Sequence, residues 1–519
     1  MKTILITGGA GFIGSHLCDY FVDQGHQVIC VDSFFSGKKQ NIQHLLEKKN
    51  FQLIKHNVIY PILDKFEKID EIYHLACPAS PMQYQFDPIL TLRTSVDGTR
   101  NMLDMARKYN AKLLYTSTSE VYGDPLEHPQ KESYFGNVDQ LGKRSCYDEG
   151  KRAAESLCKD YHEQYNVDVR IVRLFNIYGP RMMFNDGRVI SNFALQASLG
   201  EDITIHGNGE QSRSFMYIDD LLLALDKLMS LDFEAVGMKP VNLGNPDERS
   251  IKNLAENIRD VSNSKSEITY LDFDQVPERW GDPQQRCPDI TRARRLLDWE
   301  PQISFAEGLK RTLVDFQGRL NNKTRIAAFA PTYYPVEGPA ELAVKEITDR
   351  LLGYEIDLFV AKMKPGLKRK EKIGNVTVRR LGMGNKWDKY LLPILAAHKA
   401  KKLNKSQDYQ AAWGIMASYG AIAAALFSFK TKRAFLVSLF EGKIEDTDSI
   451  RRKFLKPFYR LIFKRAHNLQ IVGELSQQQL AWLEDDQTTQ GVDFDKGWEY
   501  ITKKTKEQFQ QLEILSSRL

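Results

Sequence analysis

Tyr147 and Lys151 stand four residues apart in the run Tyr147-Asp148-Glu149-Gly150-Lys151. On a helix that spacing places both side chains on one face. An ammonium beside a phenol lowers the phenol pKa, and a phenolate near neutral pH can take a proton from a hydroxyl group. The pair by itself also recurs on exposed helix surfaces. A second feature accompanies it: Thr116-Ser117-Thr118-Ser119-Glu120, hydroxyls closing on a carboxylate. This run ends an expected strand, and the C-terminal ends of strands are where open α/β sheets bind ligands. A third is Thr7-Gly8-Gly9-Ala10-Gly11-Phe12-Ile13-Gly14, set between an expected strand and a helical pattern. Its glycines allow a tight turn and close approach of backbone to a pyrophosphate, which then faces the free N–H groups of the helix start. Asp32 closes the next apolar run, Val28-Ile29-Cys30-Val31. A carboxylate there hydrogen-bonds ribose hydroxyls and repels a 2′-phosphate, so NAD is favoured over NADP.

Stepping from these residues to their supports, Lys2–Thr7, Gln27–Asp32, Phe51–His56, Glu71–Ala76 and Lys112–Thr116 read as strands, several of them separated by helix-length segments. That alternation predicts a doubly wound parallel sheet of α/β class. Residues 176–300 mix Gly, Pro and Arg with short strands such as Asp202–His206, as a small substrate-binding lid would. The polar stretch Asn321-Asn322-Lys323 marks a boundary. The expected organisation is a domain over 1–320 and a second α/β, Rossmann-like domain over 324–519. The second domain is expected to have strands at 325–330, 355–361 and 375–380, a helix near 339–352, and a strand–helix pair at 410–429.

Composition supports the division. The 519 residues carry a net charge of +5, but residues 1–320 hold 38 basic against 45 acidic side chains and residues 321–519 hold 34 against 22. All six cysteines lie in the acidic part, without a CxxC pair or a local Cys/His cluster, so no zinc site or disulfide scaffold is expected. Glycines interrupt the apolar start as they would not in a signal peptide. The uncharged stretch Tyr409–Phe429 holds too many polar residues to span a bilayer. A cytoplasmic protein is the expectation.

Together with HLACPASP (74–81), STSEVYGDP (117–125), YDEGKR (147–152), FNIYGPRM (175–182), DGRVISNF (186–193), RSFMYIDD (213–220), NLGNP (242–246) and RCPDI (286–290), these residues resemble the extended short-chain dehydrogenase/reductase family. Within that family they are most similar to the UDP-glucuronate decarboxylases, over residues 1–318. The resemblance implies an NAD-dependent reaction on a UDP-sugar. NAD accepts a hydride from sugar C4 while Tyr147 removes the hydroxyl proton, with Lys151 holding the phenolate. The β-keto acid loses CO2, and return of the hydride gives UDP-xylose. It implies catalytic roles for Thr118, Ser119, Glu120 and Arg286 beside Tyr147 and Lys151, Arg286 near the substrate carboxylate. Cofactor contacts are implied for Gly8, Gly11, Phe12, Ile13, Gly14, Asp32, Ser33, Phe34, Phe35, Ser36, Gly37, Asn57, Val58, Leu75, Thr94 and Thr116, and for Tyr147 and Lys151, the latter at the nicotinamide ribose. Substrate contacts are implied for Arg93, Asn176, Arg188, Arg213 and Arg286, and no metal.

Related 4,6-dehydratases carry Asp-Glu where this chain has Ser119-Glu120. Loss of water requires an acid for the leaving hydroxyl, and serine is a poor one, so the pair favours decarboxylation. The alternatives are a 4,6-dehydratase or an oxidative decarboxylase that releases the 4-keto pentose. The chain departs from the family at Asn57, where an aspartate is usual, at Ser33, where an asparagine is common, and at Cys287, where a lysine is usual.

The family also pairs two helices with those of a second copy in a four-helix dimer interface. Here they would carry Ala153, Ala154, Leu157 and Tyr161, and Val96, Met102 and Met105. Residues 324–519 resemble the N-terminal, acceptor-binding half of a GT-B glycosyltransferase, with Gly338-Pro339 where consecutive glycines are usual. The readings for this part are a docking or acceptor-binding module, a subunit completed by a separate transferase half, or an inert remnant. The basic and aromatic segment 451–465 could meet an anionic membrane surface or pack its aromatics inward. Nucleic-acid binding is not expected.

Overall fold

The computed structural model describes residues 1–63, 66–184, 187–272, 283–321, 324–335, 338–351, 354–374, 376–416, 418–440, 466–472, 489–492, 505, 508, 509 and 512. The chain divides into two compact units, Met1–Gly318 and Arg319–Leu519.

In the first unit, strands β1 (Thr3–Thr7), β2 (Gln27–Asp32), β3 (Phe51–Lys55), β4 (Glu71–His74), β5 (Lys112–Thr118), β6 (Val169–Leu174) and β7 (Val241–Leu243) form one sheet in the order β7-β6-β5-β4-β1-β2-β3. Every pairing is parallel. The five β-branched runs read from sequence are β1 to β5 to within two residues at each end, and β6 and β7 are additions to them. The inner strands such as β1 and β2 are buried on both faces and rich in Val, Ile and Leu, as parallel strands between helices must be, while the edge strand β3 is partly exposed. The order reverses between β1 and β4, and a ligand site is expected beyond the carboxyl ends of the strands there. Helices α1 (Phe12–Asp23), α2 (Pro88–Tyr109) and α3 (Ser145–Tyr165) supply the side chains that face it. Met102, Leu103, Met105, Ala106, Ala154 and Cys158 pack with Leu5, Ile72, Leu113 and Val169 in one core. A three-stranded lid sheet sets Ser212–Ser214 between Glu248–Ser250 and Gln285–Arg286.

Among the described residues the second unit has an eight-stranded sheet. Seven of these strands are parallel and a short antiparallel hairpin strand, Lys370–Ile373, lies on its edge. Taken in chain order, the seven parallel strands repeat the order of the first sheet, with Thr324–Phe329 between Tyr354–Ala361 and Ala411–Ile415. The unit is therefore Rossmann-like, as its sequence rhythm predicts. The helix Asp388–Gln407, with Pro393 inside it, is an addition to the elements expected there. Tyr409–Phe429 is a strand followed by the start of a helix, and among the described residues no helix is long and apolar enough to cross a membrane. The segment 451–465 lies outside the described residues.

Candidate active site

The glycine loop joins β1 to α1. Gly8 has φ +69°, a left-handed conformation that disfavours other residues, and a Cβ there would sit 3.0 Å from the Ala76 backbone nitrogen. A Cβ on Gly14 would approach the Gly8 carbonyl oxygen to 2.2 Å, so only glycine lets α1 start this close to the loop. Asp32, at the end of β2, accepts hydrogen bonds from the N–H groups of Ala10 (2.9 Å) and Phe34 (2.7 Å). Burial raises its pKa against the pull of these donors. A Cβ on Gly37 would stand 2.7 Å from the Asp32 carboxylate. A turn stripped of side chains, a helix start and a carboxylate at the next strand end fit a dinucleotide.

The neighbouring positions are assembled by tertiary contacts. Ser33 accepts from the N–H of Phe35 at 3.3 Å, and Phe34 is buried. Asn57 uses its side-chain oxygen to accept the Ile59 N–H at 3.2 Å. Val58 packs against Gly98 of α2, which has no room for a Cβ. The Leu75 N–H meets the Thr7 hydroxyl at 3.2 Å, and that hydroxyl also contacts His74 Nδ1 at 2.7 Å. Thr94 is buried and donates to the Leu90 carbonyl. Phe12 and Ile13 open α1.

Tyr147 and Lys151 lie in the first two turns of α3, both buried. Lys151 donates to the Thr116 carbonyl at 2.7 Å, and its ammonium is 5.9 Å from the Tyr147 ring centroid. Burial lowers the Lys151 pKa. From helical spacing alone, Lys151 is expected to pull the phenol down. In this chain burial pushes the Tyr147 phenol well above its ordinary value, with Cys77 adding to the rise and a hydrogen bond with Thr118 opposing it. Tyr84 stacks on the Tyr147 ring, centroids 5.3 Å apart. Thr118 also caps the short helix Ser119–Tyr122 by accepting from the Glu120 N–H, and Ser119 is buried.

Glu120 is gripped by two guanidiniums, Arg144 and Arg286. Burial favours its neutral form, but Arg144, Arg286 and Arg213 together outweigh this and hold it down to about 2. Arg286 also donates to the Gly123 carbonyl at 2.9 Å and is 2% exposed. The structure thus joins two residues 166 positions apart that resemblance assigned to one site. Arg213 lies beside Arg286 on the lid sheet and donates to the Pro283 carbonyl at 2.6 Å. Asn176 donates to the Ser214 carbonyl at 3.3 Å, and Arg188 precedes the lid helix Val189–Leu199. Arg93 is not gathered into the cluster: half exposed, it donates to Asp97 one helical turn on.

Sequence reasoning missed Arg144 and Asp148. Asp148 is buried, its Oδ2 3.8 Å from Arg144 Nε, while its Oδ1 has no hydrogen-bond partner among the described residues. Burial and the Glu120 charge raise it to about 7, against Arg144 and Arg286. For an acid whose folded pKa is raised, the stabilising contribution is full below the unfolded value, 3.8, and is lost as pH rises through about 7. Asp148→Asn removes that decline. Melting temperatures measured from pH 4 to pH 8 should shift progressively in favour of the variant.

Residues 5–312 match the model of the GDP-mannose 4,6 dehydratase family. UDP-glucuronic acid decarboxylase 1 of Arabidopsis thaliana is 51% identical over 320 residues, 62% of this chain and 71% of that protein. UDP-glucuronic acid decarboxylase 1 of Xenopus tropicalis is 48% identical over 66% of this chain and 77% of that protein. Among solved structures, UDP-glucuronic acid 4-epimerase of Bacillus cereus, in complex with UDP-glucuronic acid and NAD, aligns with a TM-score of 0.55 at 28% identity. That alignment covers 61% of this chain and 99% of the epimerase. The glycine loop, the Tyr147–Lys151 pair and the sheet order agree with these matches, and the chain belongs to the GDP-mannose 4,6 dehydratase family, where it groups with the UDP-glucuronic acid decarboxylases.

Proposed function

We propose that residues 1–318 convert UDP-glucuronate into UDP-xylose and CO2, with NAD as a cofactor retained through the cycle. Its cradle is the Gly8–Gly14 loop, Asp32 and the Lys151 side of α3. When bound, NAD supplies a reversible hydride acceptor. Tyr147 takes the proton of the sugar C4 hydroxyl in its phenolate form, and Lys151, anchored on the Thr116 carbonyl, holds a positive charge near that phenolate against the rise that burial imposes. Oxidation at C4 turns the C5 carboxylate into a β-keto acid, which loses CO2 through an enolate; a proton added at C5, the hydride returned to C4 and the Tyr147 proton returned to its oxygen then complete UDP-xylose. Arg286 recognises the carboxylate, since a guanidinium makes charge-assisted hydrogen bonds to it.

The observation that carries the decarboxylase reading is Glu120. Held down to about 2 by its arginines, it is an anion at neutral pH and has no proton to give a leaving hydroxyl. Its neighbour is Ser119, a poor acid, so neither of these two positions offers a proton for elimination of water, while loss of CO2 needs none. Incubation with UDP-glucuronate and NAD should release CO2 and form UDP-xylose without net NADH. Accumulating NADH would indicate the oxidative reaction, and absence of CO2 would overturn the proposal.

A homodimer through α2 and α3 accompanies this reading. Met102, Met105 and Ala154 are spent on the chain's own core, but Ile89 and Leu92 of α2 are exposed. The second unit we read as a docking or acceptor-binding module of GT-B type. Its parallel sheet and the Ser418-capped helix Tyr419–Thr431 support this. A cytoplasmic setting agrees with six free thiols.

A further inference from the structure

Three residues distant in sequence, His128, Glu248 and Cys287, bring their imidazole nitrogen, carboxylate oxygen and sulfur within 4.8 Å of one another. They come from three separate pieces of the first unit. His128 lies in the loop before Gln130, Glu248 opens a lid strand, and Cys287 follows the lid strand Gln285–Arg286. His128 Nε2 is already 3.0 Å from Glu248 Oε2. The other carboxylate oxygen of Glu248 accepts from the Ser212 hydroxyl. The backbone of Cys287 is clamped on both sides by buried Gln130: its N–H donates to the Gln130 side chain and its carbonyl accepts the Gln130 N–H, both at 2.9 Å. Cys287 Sγ itself meets the Pro246 carbonyl, at 3.5 Å, a weak contact.

We propose that His128, Glu248 and Cys287 form a binding site for a borderline-soft divalent cation of the zinc class. One nitrogen, one oxygen and one sulfur are the donor set this class takes, with a fourth position left to water. Ligand atoms around tetrahedral zinc are about 3–4 Å apart, from bond lengths of about 2.0–2.3 Å. His128 is the exposed member of the three, while Gln130 holds the Cys287 backbone and Ser212 holds the Glu248 carboxylate. The Ser212 hydroxyl acts as the outer contact that orients a ligating carboxylate. On binding, the thiol loses its proton to solvent and the cation takes its place, so affinity rises with pH. The site would tie the 128 loop to two lid segments, one of which carries Arg286 on the residue before Cys287.

The full chain, stripped with a chelator and dialysed against Zn2+ or Co2+, should retain about one equivalent. The Co2+ form should show a thiolate-to-metal charge-transfer band in the near ultraviolet, and Zn2+ should raise the melting temperature. Cys287→Ser and His128→Ala should each lose the band, the metal and the thermal shift, while melting like the metal-free wild type. Ser212→Ala should weaken binding roughly tenfold. No retained metal, no thiolate band, or equal retention by Cys287→Ser and His128→Ala would overturn the proposal.

Discussion

Replacing Tyr147 by phenylalanine should lower turnover of UDP-glucuronate by about 10³-fold, within the range set by loss of a positioned acid–base group. The ring is buried and stacked on Tyr84, so phenylalanine keeps the packing and removes only the hydroxyl. Lys151 retains its bond to the Thr116 carbonyl, and the glycine loop is untouched. NAD should therefore still be retained, measured as bound nucleotide after gel filtration. A variant that keeps near wild-type turnover would mean that another group takes the C4 proton. Burial holds the phenol protonated in the resting chain. Turnover should accordingly fall off toward acid pH in the wild type, and the residual rate of the variant should lose that dependence.

Glu120→Gln should be the most damaging conservative change to the fold around the site. The amide has nearly the same shape, but Arg286 and Arg144 then lose the charge that neutralises them. Removing one partner of a buried pair costs about 3 kcal/mol or more, because the remaining charge stays desolvated. The folded-state pKa of Glu120 is depressed, so the pair stabilises the chain above its ordinary value of 4.5, and that contribution is lost as pH falls toward about 2. Thermal unfolding should show a large difference between wild type and variant at pH 7 and almost none near pH 2. A constant difference across that range would show that the carboxylate charge is not what matters. Turnover should fall as well, since Arg286 is no longer held.

The sequence carries the strands well because a buried parallel strand is written locally, in runs such as Val28-Ile29-Cys30-Val31. The glycine loop is equally local: Gly8 and Gly14 meet each other within seven residues. Tyr147 and Lys151 need only helical spacing to be paired. Arg144 and Asp148 show the opposite case. They sit beside Tyr147 in the chain, yet their significance lies in Glu120, which arrives from the end of β5. Arg286 has no local mark at all. A sheet of three short lid strands carries it there, and no periodicity announces them. Lys151 could be placed on the right face of α3, but its effect on Tyr147 could not be weighed, because burial is set by the whole fold. In the second unit, Pro393 interrupts the pattern that would have revealed the helix Asp388–Gln407.

Glu120 and Asp148 together confront three guanidiniums, those of Arg144, Arg213 and Arg286, and burial with the Glu120 charge favours the neutral form of Asp148. This cluster thus leans toward positive charge, which a carboxylated sugar can complement and its decarboxylated product cannot. The UDP group is common to both and contributes no distinction between them. The chemical step itself therefore weakens the hold on the molecule it produces. Departure of the neutral sugar is favoured over re-entry, and a carboxylate-bearing competitor should inhibit more strongly than the product does.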